Sequence, residues 1–283
     1  MGSTSGVVRN FEKSLKRIEV INYMESLYVI KIGGNIVDNP TLLTSCLQSF
    51  AKVKGQAILV HGGGKLATSL ATSMGVEQKM VDGRRITDEA TLKIVTMVYA
   101  GYINKNIVAQ LQSEGVAAIG LSGVDGNLLL AHKRMNAAID FGLVGDIDQV
   151  NTHLLLQLLS NNTRLVIAPI THDGKGQLLN TNADTIAQCI ATSLAQTYQV
   201  HLIYGFEKQG VLKDMDDPSS VILHIDQPTY QNLKDQKVIV DGMIPKIDNA
   251  FSALENGVQS VIIGRAERLD ELIQGTAGTT IKL

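Results

Sequence analysis

Apolar residues along this chain gather into short, β-branched runs separated by stretches with helical spacing. Leu27–Ile32, Gln56–Val60, Val116–Leu121, Leu165–Ile170, Val200–Tyr204 and Ser260–Ile263 read as strands, each nearly continuous instead of alternating. Runs of that kind belong to strands covered on both faces. Between them Thr41–Lys54, Lys65–Met74, Glu89–Glu114, Asn151–Ser160, Ala183–Leu194, Pro245–Glu255 and Leu269–Ile273 read as helices, the longest interrupted near Gly101. Leu128–His132 adds a short strand and Thr280–Leu283 a last edge strand. Strands and helices alternating over short links predict an α/β fold, a three-layer αβα sandwich around a mainly parallel sheet. A new strand–helix series begins near residue 198, which suggests lobes at 27–197 and 198–283; no repeat or low-complexity linker marks the division.

Residues 1–26 are expected to stand outside this core, as an N-terminal extension or tag. Phe11, Leu15 and Ile18 there have the spacing of a short amphipathic helix. At 283 residues and 45% apolar composition the chain can bury a sizeable core. A formal charge of −2 gives no basis for a nucleic-acid or anionic-membrane partner. No apolar run approaches the ~18 residues of a membrane span, and the N-terminus is too charged for a secretory signal. Cys46 and Cys189, far apart in helix-like surroundings, read as reduced core residues. The expectation is a cytoplasmic protein.

Two glycine turns follow strands directly: Lys31-Ile32-Gly33-Gly34 and His61-Gly62-Gly63-Gly64. Without a Cβ, backbone N–H groups can approach an anion closely, and a neighbouring lysine adds a mobile charge, so the pairing points to phosphate chemistry. Gly62–Ala67 also satisfies G-x-G-x-x-A, with Asp82 about twenty residues on, as in a dinucleotide-binding turn. Against an oxidoreductase of that kind, Val76–Val81 is a poor second strand, and the preceding glycine turn has no part in it. A P-loop fails because Leu66 stands where Ser or Thr would hold magnesium.

Five segments in one order carry a more specific signal: Lys31–Gly34, His61–Gly64, Gly83-Arg84-Arg85-Ile86-Thr87, Asn180-Thr181-Asn182-Ala183-Asp184 and Asp241-Gly242-Met243-Ile244-Pro245-Lys246. Over residues 27–283 this resembles the amino acid kinase family, within it the branch acting on N-acylated glutamate. The resemblance implies transfer of the γ-phosphoryl of ATP, carried with Mg²⁺, to the side-chain carboxylate of N-acetyl-L-glutamate, giving an acyl phosphate on the way to arginine. It implies Lys31 and Lys246 as stabilisers of the transferring group and Asp184 as the group holding both lysines. Gly63, Gly64, Arg85 and Asn180 would bind substrate, Gly33, Gly34 and Gly210 the nucleotide phosphates, and no protein-held metal is implied. The 27–197 lobe would take acylated glutamate and the 198–283 lobe nucleotide.

Each residue also has a bland reading: a solvated strand-end lysine for Lys31, a helix cap or first-turn acid for Asp184, a surface arginine for Arg85. His61 reads as structural, lacking an evident nucleophile or acid partner. Phe206-Glu207-Lys208-Gln209 departs from the family's usual Ser-Asp or Thr-Asp before Gly210-Val211-Leu212. Arg265–Leu283 does not resemble the C-terminal signature of arginine-controlled members, so the resemblance implies an unregulated homodimer. N-succinyl-L-glutamate stays open as substrate, with Lys65, Lys79 or Arg84 available to its extra carboxylate. A noncatalytic ligand sensor on the same fold is the reading from another class.

Overall fold

A computed structural model of the chain describes residues 24–81, 84–135, 139–214, 216–239 and 243–283. The helix expected around Phe11, Leu15 and Ile18 lies outside these residues, as do Asp82, Gly83, Asp241 and Gly242. An eight-stranded sheet forms the centre. From edge to edge it runs His224–Ile225, Thr279–Ile281, Ser260–Arg265, Gln199–Phe206, Ser26–Ile32, Gln56–His61, Arg164–Ala168 and Ala118–Ser122. Neighbours are parallel except Thr279–Ile281 against Ser260–Arg265. Buried clusters cover both faces, which gives the three-layer sandwich that the continuous apolar runs imply.

Period-two alternation decides which side chain meets which layer. On Ser26–Ile32, Leu27 and Val29 enter one cluster with the helix Ala183–Leu194, while Ile30 and Ile32 enter the other. Lys31 follows Leu27 and Val29 in this alternation and so emerges on the side of Asp184. On Gln56–His61, Ala57 and Leu59 face the opposite layer, and His61 follows them toward the helix Asn104–Ser113.

Four further strands, Leu129–Lys133, Val144–Val150, Ile170–His172 and Leu178–Thr181, close into a small ring. The run expected as one strand at Leu165–Ile170 is broken by Pro169, which has no N–H for a ladder. Its first part stays in the large sheet and Ile170 joins the ring. The last strand is also not an edge: His224–Ile225 pairs outside it. Among the described residues Met80–Val81 pairs only with Arg84–Arg85, antiparallel, and supplies no second parallel strand for the dinucleotide-binding reading. The interruption near Gly101 is a π-helical stretch, Met97–Ile103, between Glu89–Thr96 and Asn104–Ser113. Such bulges often accompany functional sites.

Candidate active site

The glycine turns lie against each other at the C-terminal ends of adjacent parallel strands, where α/β sheets open their crevices. Gly62 N–H donates to the Ile32 carbonyl at 3.0 Å, tying one turn to the other. A Cβ on Gly34 would come within 3.4 Å of Gly64 N and 3.8 Å of Gly63 N. At Gly63 the backbone has φ +153°, and a Cβ would sit 2.2 Å from Ile103 Cδ1. Only glycine fits there. Neither Gly34, Gly63 nor Gly64 N–H donates to a backbone carbonyl among the described residues.

Both lysines converge on one carboxylate. Lys31 Nζ lies 2.8 Å from Asp184 Oδ1, and Lys246 Nζ lies 3.2 Å from Oδ2. Asn182 caps the helix Ala183–Leu194, its side chain accepting from the Asp184 and Thr185 amides at 2.7 and 3.3 Å. Capping is therefore done by Asn182, which leaves the Asp184 carboxylate to the lysines. Burial by itself would raise the Asp184 carboxyl, but the Lys31 and Lys246 ammoniums outweigh it and hold the group below the usual carboxylate range.

A cavity of about 640 Å³ opens above these residues, with Lys31, Gly33, Gly34, Gly64, Gly210 and Lys246 in its lining. Its far wall carries Phe206, Val211, Leu212, Val238, Ile239 and Met243, an apolar bed of the kind a flat heteroaromatic ring needs. Glu207 and Lys208 also line it, and Asn35 Nδ2 donates to Glu207 Oε1 at 2.8 Å across the mouth. Gly210 has a structural reason to lack a side chain: a Cβ would meet Thr279 Oγ1 at 2.7 Å.

A second cavity, about 270 Å³, shares Lys31, Gly34, Gly64 and Arg85 with the first and reaches Gly63, Tyr99, Arg134 and Asn180. Arg85 is buried, so the surface-arginine reading falls. Its Nη2 donates to Gly64 O and Thr68 Oγ1, both at 2.9 Å, and Nη1 donates to Gln78 Oε1. Three of its five donors are thus used, and the Tyr99 hydroxyl lies beside the guanidinium. Asn180 Nδ2 donates to Thr87 Oγ1 at 3.0 Å.

Tyr99 and Arg134 are among the lining residues that sequence reasoning missed. Neither belongs to a motif; a π-helical turn and the end of a ring strand bring them in. The Arg134 guanidinium is held by Asp146, with Nε 3.0 and 3.1 Å from its two oxygens. Of the residues weighed for an extra carboxylate, Arg84 lines this cavity, Lys65 lines the larger one, and Lys79 lines neither.

Comparison with known proteins bears on this geometry. The amino acid kinase family profile matches residues 26–265. The acetylglutamate kinase of Cytophaga hutchinsonii is 55% identical over 261 residues, covering 91% of this chain and 99% of that protein. That of Parabacteroides distasonis is 50% identical, covering 88% and 97%. Among solved structures, smu.665 of Streptococcus mutans superposes with a TM-score of 0.75 at 28% identity, over 91% of this chain and 98% of that one. An isopentenyl phosphate kinase, at 17% identity and a TM-score of 0.59, shares the fold.

Proposed function

Because the chain belongs to the amino acid kinase family, we propose that it transfers the γ-phosphoryl of ATP to the side-chain carboxylate of N-acetyl-L-glutamate. The product is an acyl phosphate, and the step belongs to arginine biosynthesis. The observation that carries this reading is the meeting of Lys31 and Lys246 on Asp184 in one cavity.

The chemistry follows from charge. A carboxylate is already ionised at neutral pH, so the nucleophile needs no general base. The difficulty is bringing an anion in line with a triphosphate, and positioning plus electrostatic stabilisation supply the catalysis. Lys31 and Lys246 compensate charge on the migrating phosphoryl, and Asp184 keeps both ammoniums oriented. Gly33, Gly34 and Gly210 serve the nucleotide phosphates, while Gly63 and Gly64 offer amides to the reacting carboxylate. Arg85 supplies charge and a hydrogen bond to the α-carboxylate, and Asn180 adds a further hydrogen bond. Mg²⁺, arriving with the nucleotide, would neutralise charge on its phosphates, with no protein carboxylate assigned to hold it.

The lining residues support a division of labour. The smaller cavity draws only on residues between Lys31 and Ala183, fitting acylated glutamate in the 27–197 lobe. The apolar bed comes from residues beyond 198, fitting nucleotide there. N-succinyl-L-glutamate is less well served: Arg134 is already neutralised by Asp146, and only exposed Arg84 is left for a second carboxylate. A cytoplasmic homodimer completes the reading. Met97, Tyr102 and Ile119 are 51, 65 and 40% exposed on an edge strand and on the π-helical stretch next to the helix packed against it, an apolar set that a second copy would cover.

Hydroxamate trapping of the acyl phosphate, with N-acetyl- and N-succinylglutamate side by side, tests the proposal. Wild type should form product from the acetyl substrate with the higher kcat/KM, and Lys31→Ala should form it about 10²–10³-fold more slowly. No ATP-dependent product from either substrate overturns the reaction, and a succinyl preference overturns the acyl assignment.

A further inference from the structure

His61 is wholly buried beneath the second glycine turn and touches neither cavity. Its Nδ1 lies 2.8 Å from the carbonyl oxygen of the next residue, Gly62. Its Nε2 lies 3.4 Å from Asn104 Nδ2. Which ring nitrogen carries the proton is decided by Asn104. That amide nitrogen also faces the carbonyls of Val166 at 3.0 Å and Leu121 at 3.4 Å, and the amide oxygen receives Lys105 Nζ at 3.0 Å. Asn104 therefore presents N–H, not oxygen, to the imidazole. Nε2 must accept, and Nδ1 carries the hydrogen that Gly62 O receives. Burial, foremost, and nearby Lys105 lower the ring's pKa to about 4 despite the Gly62 contact, so the imidazole is neutral at working pH.

A trans peptide is planar, with its C=O and N–H on opposite sides. Drawing the Gly62 carbonyl down to the imidazole therefore turns the Gly63 N–H upward, toward Gly34 and the smaller cavity. A glycine pair has little intrinsic preference for that orientation, since either side of the peptide plane is open to it. Something must fix it, and no backbone partner among the described residues takes the Gly63 N–H.

We propose that His61 is a positioning residue whose Nδ1–H locks the Gly62–Gly63 peptide, so that the Gly63 amide faces the reacting carboxylate, with Asn104 setting the tautomer. This rests on the kinase reading for what the amide meets, but the tautomer and the peptide orientation do not depend on it.

Two substitutions separate the hydrogen bond from the packing. Asn places a donor nitrogen where Nδ1 stands, and Leu has the same shape without one. His61→Leu should lower kcat roughly 10- to 100-fold, with a smaller change in KM. That is less than the roughly 10²–10³-fold for losing a preorganised donor outright, because the Gly63 amide is released and not removed. His61→Asn should recover most of that loss. Asn104→Asp turns the amide donor into an acceptor, moves the proton to Nε2, and should impair kcat as Leu does. Imidazole ¹⁵N shifts of the wild type, read without any substrate, should report Nδ1 protonated and Nε2 bare. The proposal is overturned by an Nε2–H tautomer in the wild type, or by His61→Leu turning over at the wild-type rate. It is equally overturned if Asn and Leu variants that melt like the wild type lose kcat alike. Should neither variant fold, the wild-type tautomer and Asn104→Asp decide. A wild type with the Nδ1–H tautomer but no phosphoryl transfer rejects the kinase reading alone.

Discussion

Lys31, Lys246 and Asp184 form a triad in which each charge has a reason to be there. On the proposed mechanism, removing either ammonium takes away a preorganised cation, worth about 3 kcal/mol of barrier by analogy with single oxyanion donors. Lys31→Ala and Lys246→Ala should each lower kcat by about 10²–10³-fold while changing KM for ATP less, measured by steady-state hydroxamate formation. Lys31→Arg should not restore the rate, because a planar fork cannot replace a compact ammonium at that distance. Acid sensitivity separates two buried groups. Asp184 is held below its ordinary 3.8, so its contribution to stability is present above that value and lost as pH falls through the lower, folded one. His61, at about 4 against an ordinary 6.5, contributes fully above 6.5 and loses that contribution as pH falls toward 4. The difference is on the order of 3 kcal/mol. Urea unfolding of wild type and His61→Asn between pH 8 and 4 should diverge in slope between 6.5 and 4. Parallel curves would reject a neutral, buried imidazole.

At the scale of elements, the site depends on how strand ends and helix starts meet. Gly63→Ala drives a Cβ into Ile103 at a φ that L residues rarely adopt, so the turn must shift. The expected result is a destabilisation of about 1–3 kcal/mol and a loss of kcat in the folded fraction, read by thermal melting and turnover together. Asn182→Ala removes the cap of the helix bearing Asp184, at a cost of about 1 kcal/mol. It should also weaken turnover, because the first helical turn orients that carboxylate. A melting change without any kinetic change would make Asn182 purely structural. Much of this architecture was legible in the sequence. Ala183–Leu194 was bounded to the residue, because the Asn182 cap and the apolar spacing coincide. Lys31 and Asp184 were readable from their motifs, while Tyr99 and Arg134 were not, since no local pattern says which helical turn or ring strand will pass a distant cavity. The helix Gln227–Asp235 escaped notice because it is polar overall, its apolar side limited to Tyr230 and Leu233. Leu129–Lys133 was anticipated as Leu128–His132, but Val144–Val150 and Leu178–Thr181 escaped because they are short or half-polar. Pro169 was the available clue that the run at Leu165–Ile170 would split.

For the whole molecule, the proposed division into two lobes by ligand does not imply two folding units. Ser26–Ile32 pairs along all seven of its residues with Gln199–Phe206, in the middle of one continuous sheet. Cutting between residues 197 and 198 would leave a buried strand as an open edge and separate the helix Ala183–Leu194 from Ile244–Glu255, which packs on it within one buried cluster. At about 1.5–3 kcal/mol for each buried side chain so uncovered, even three would forfeit a large fraction of the 5–15 kcal/mol that holds a typical domain together. The chain should therefore unfold in a single calorimetric transition, with calorimetric and van't Hoff enthalpies equal for the protomer. N-acetylglutamate and the nucleotide, each alone, should raise that one transition temperature, since each binds only the folded state. Two separable transitions, one moved by acylated glutamate and the other by nucleotide, would mean that the lobes fold independently. The central strand pairing would then contribute far less than its burial implies. A single transition moved by both ligands would instead place the coupling between substrate and nucleotide in the sheet itself, beneath the carboxylate on which the two lysines meet.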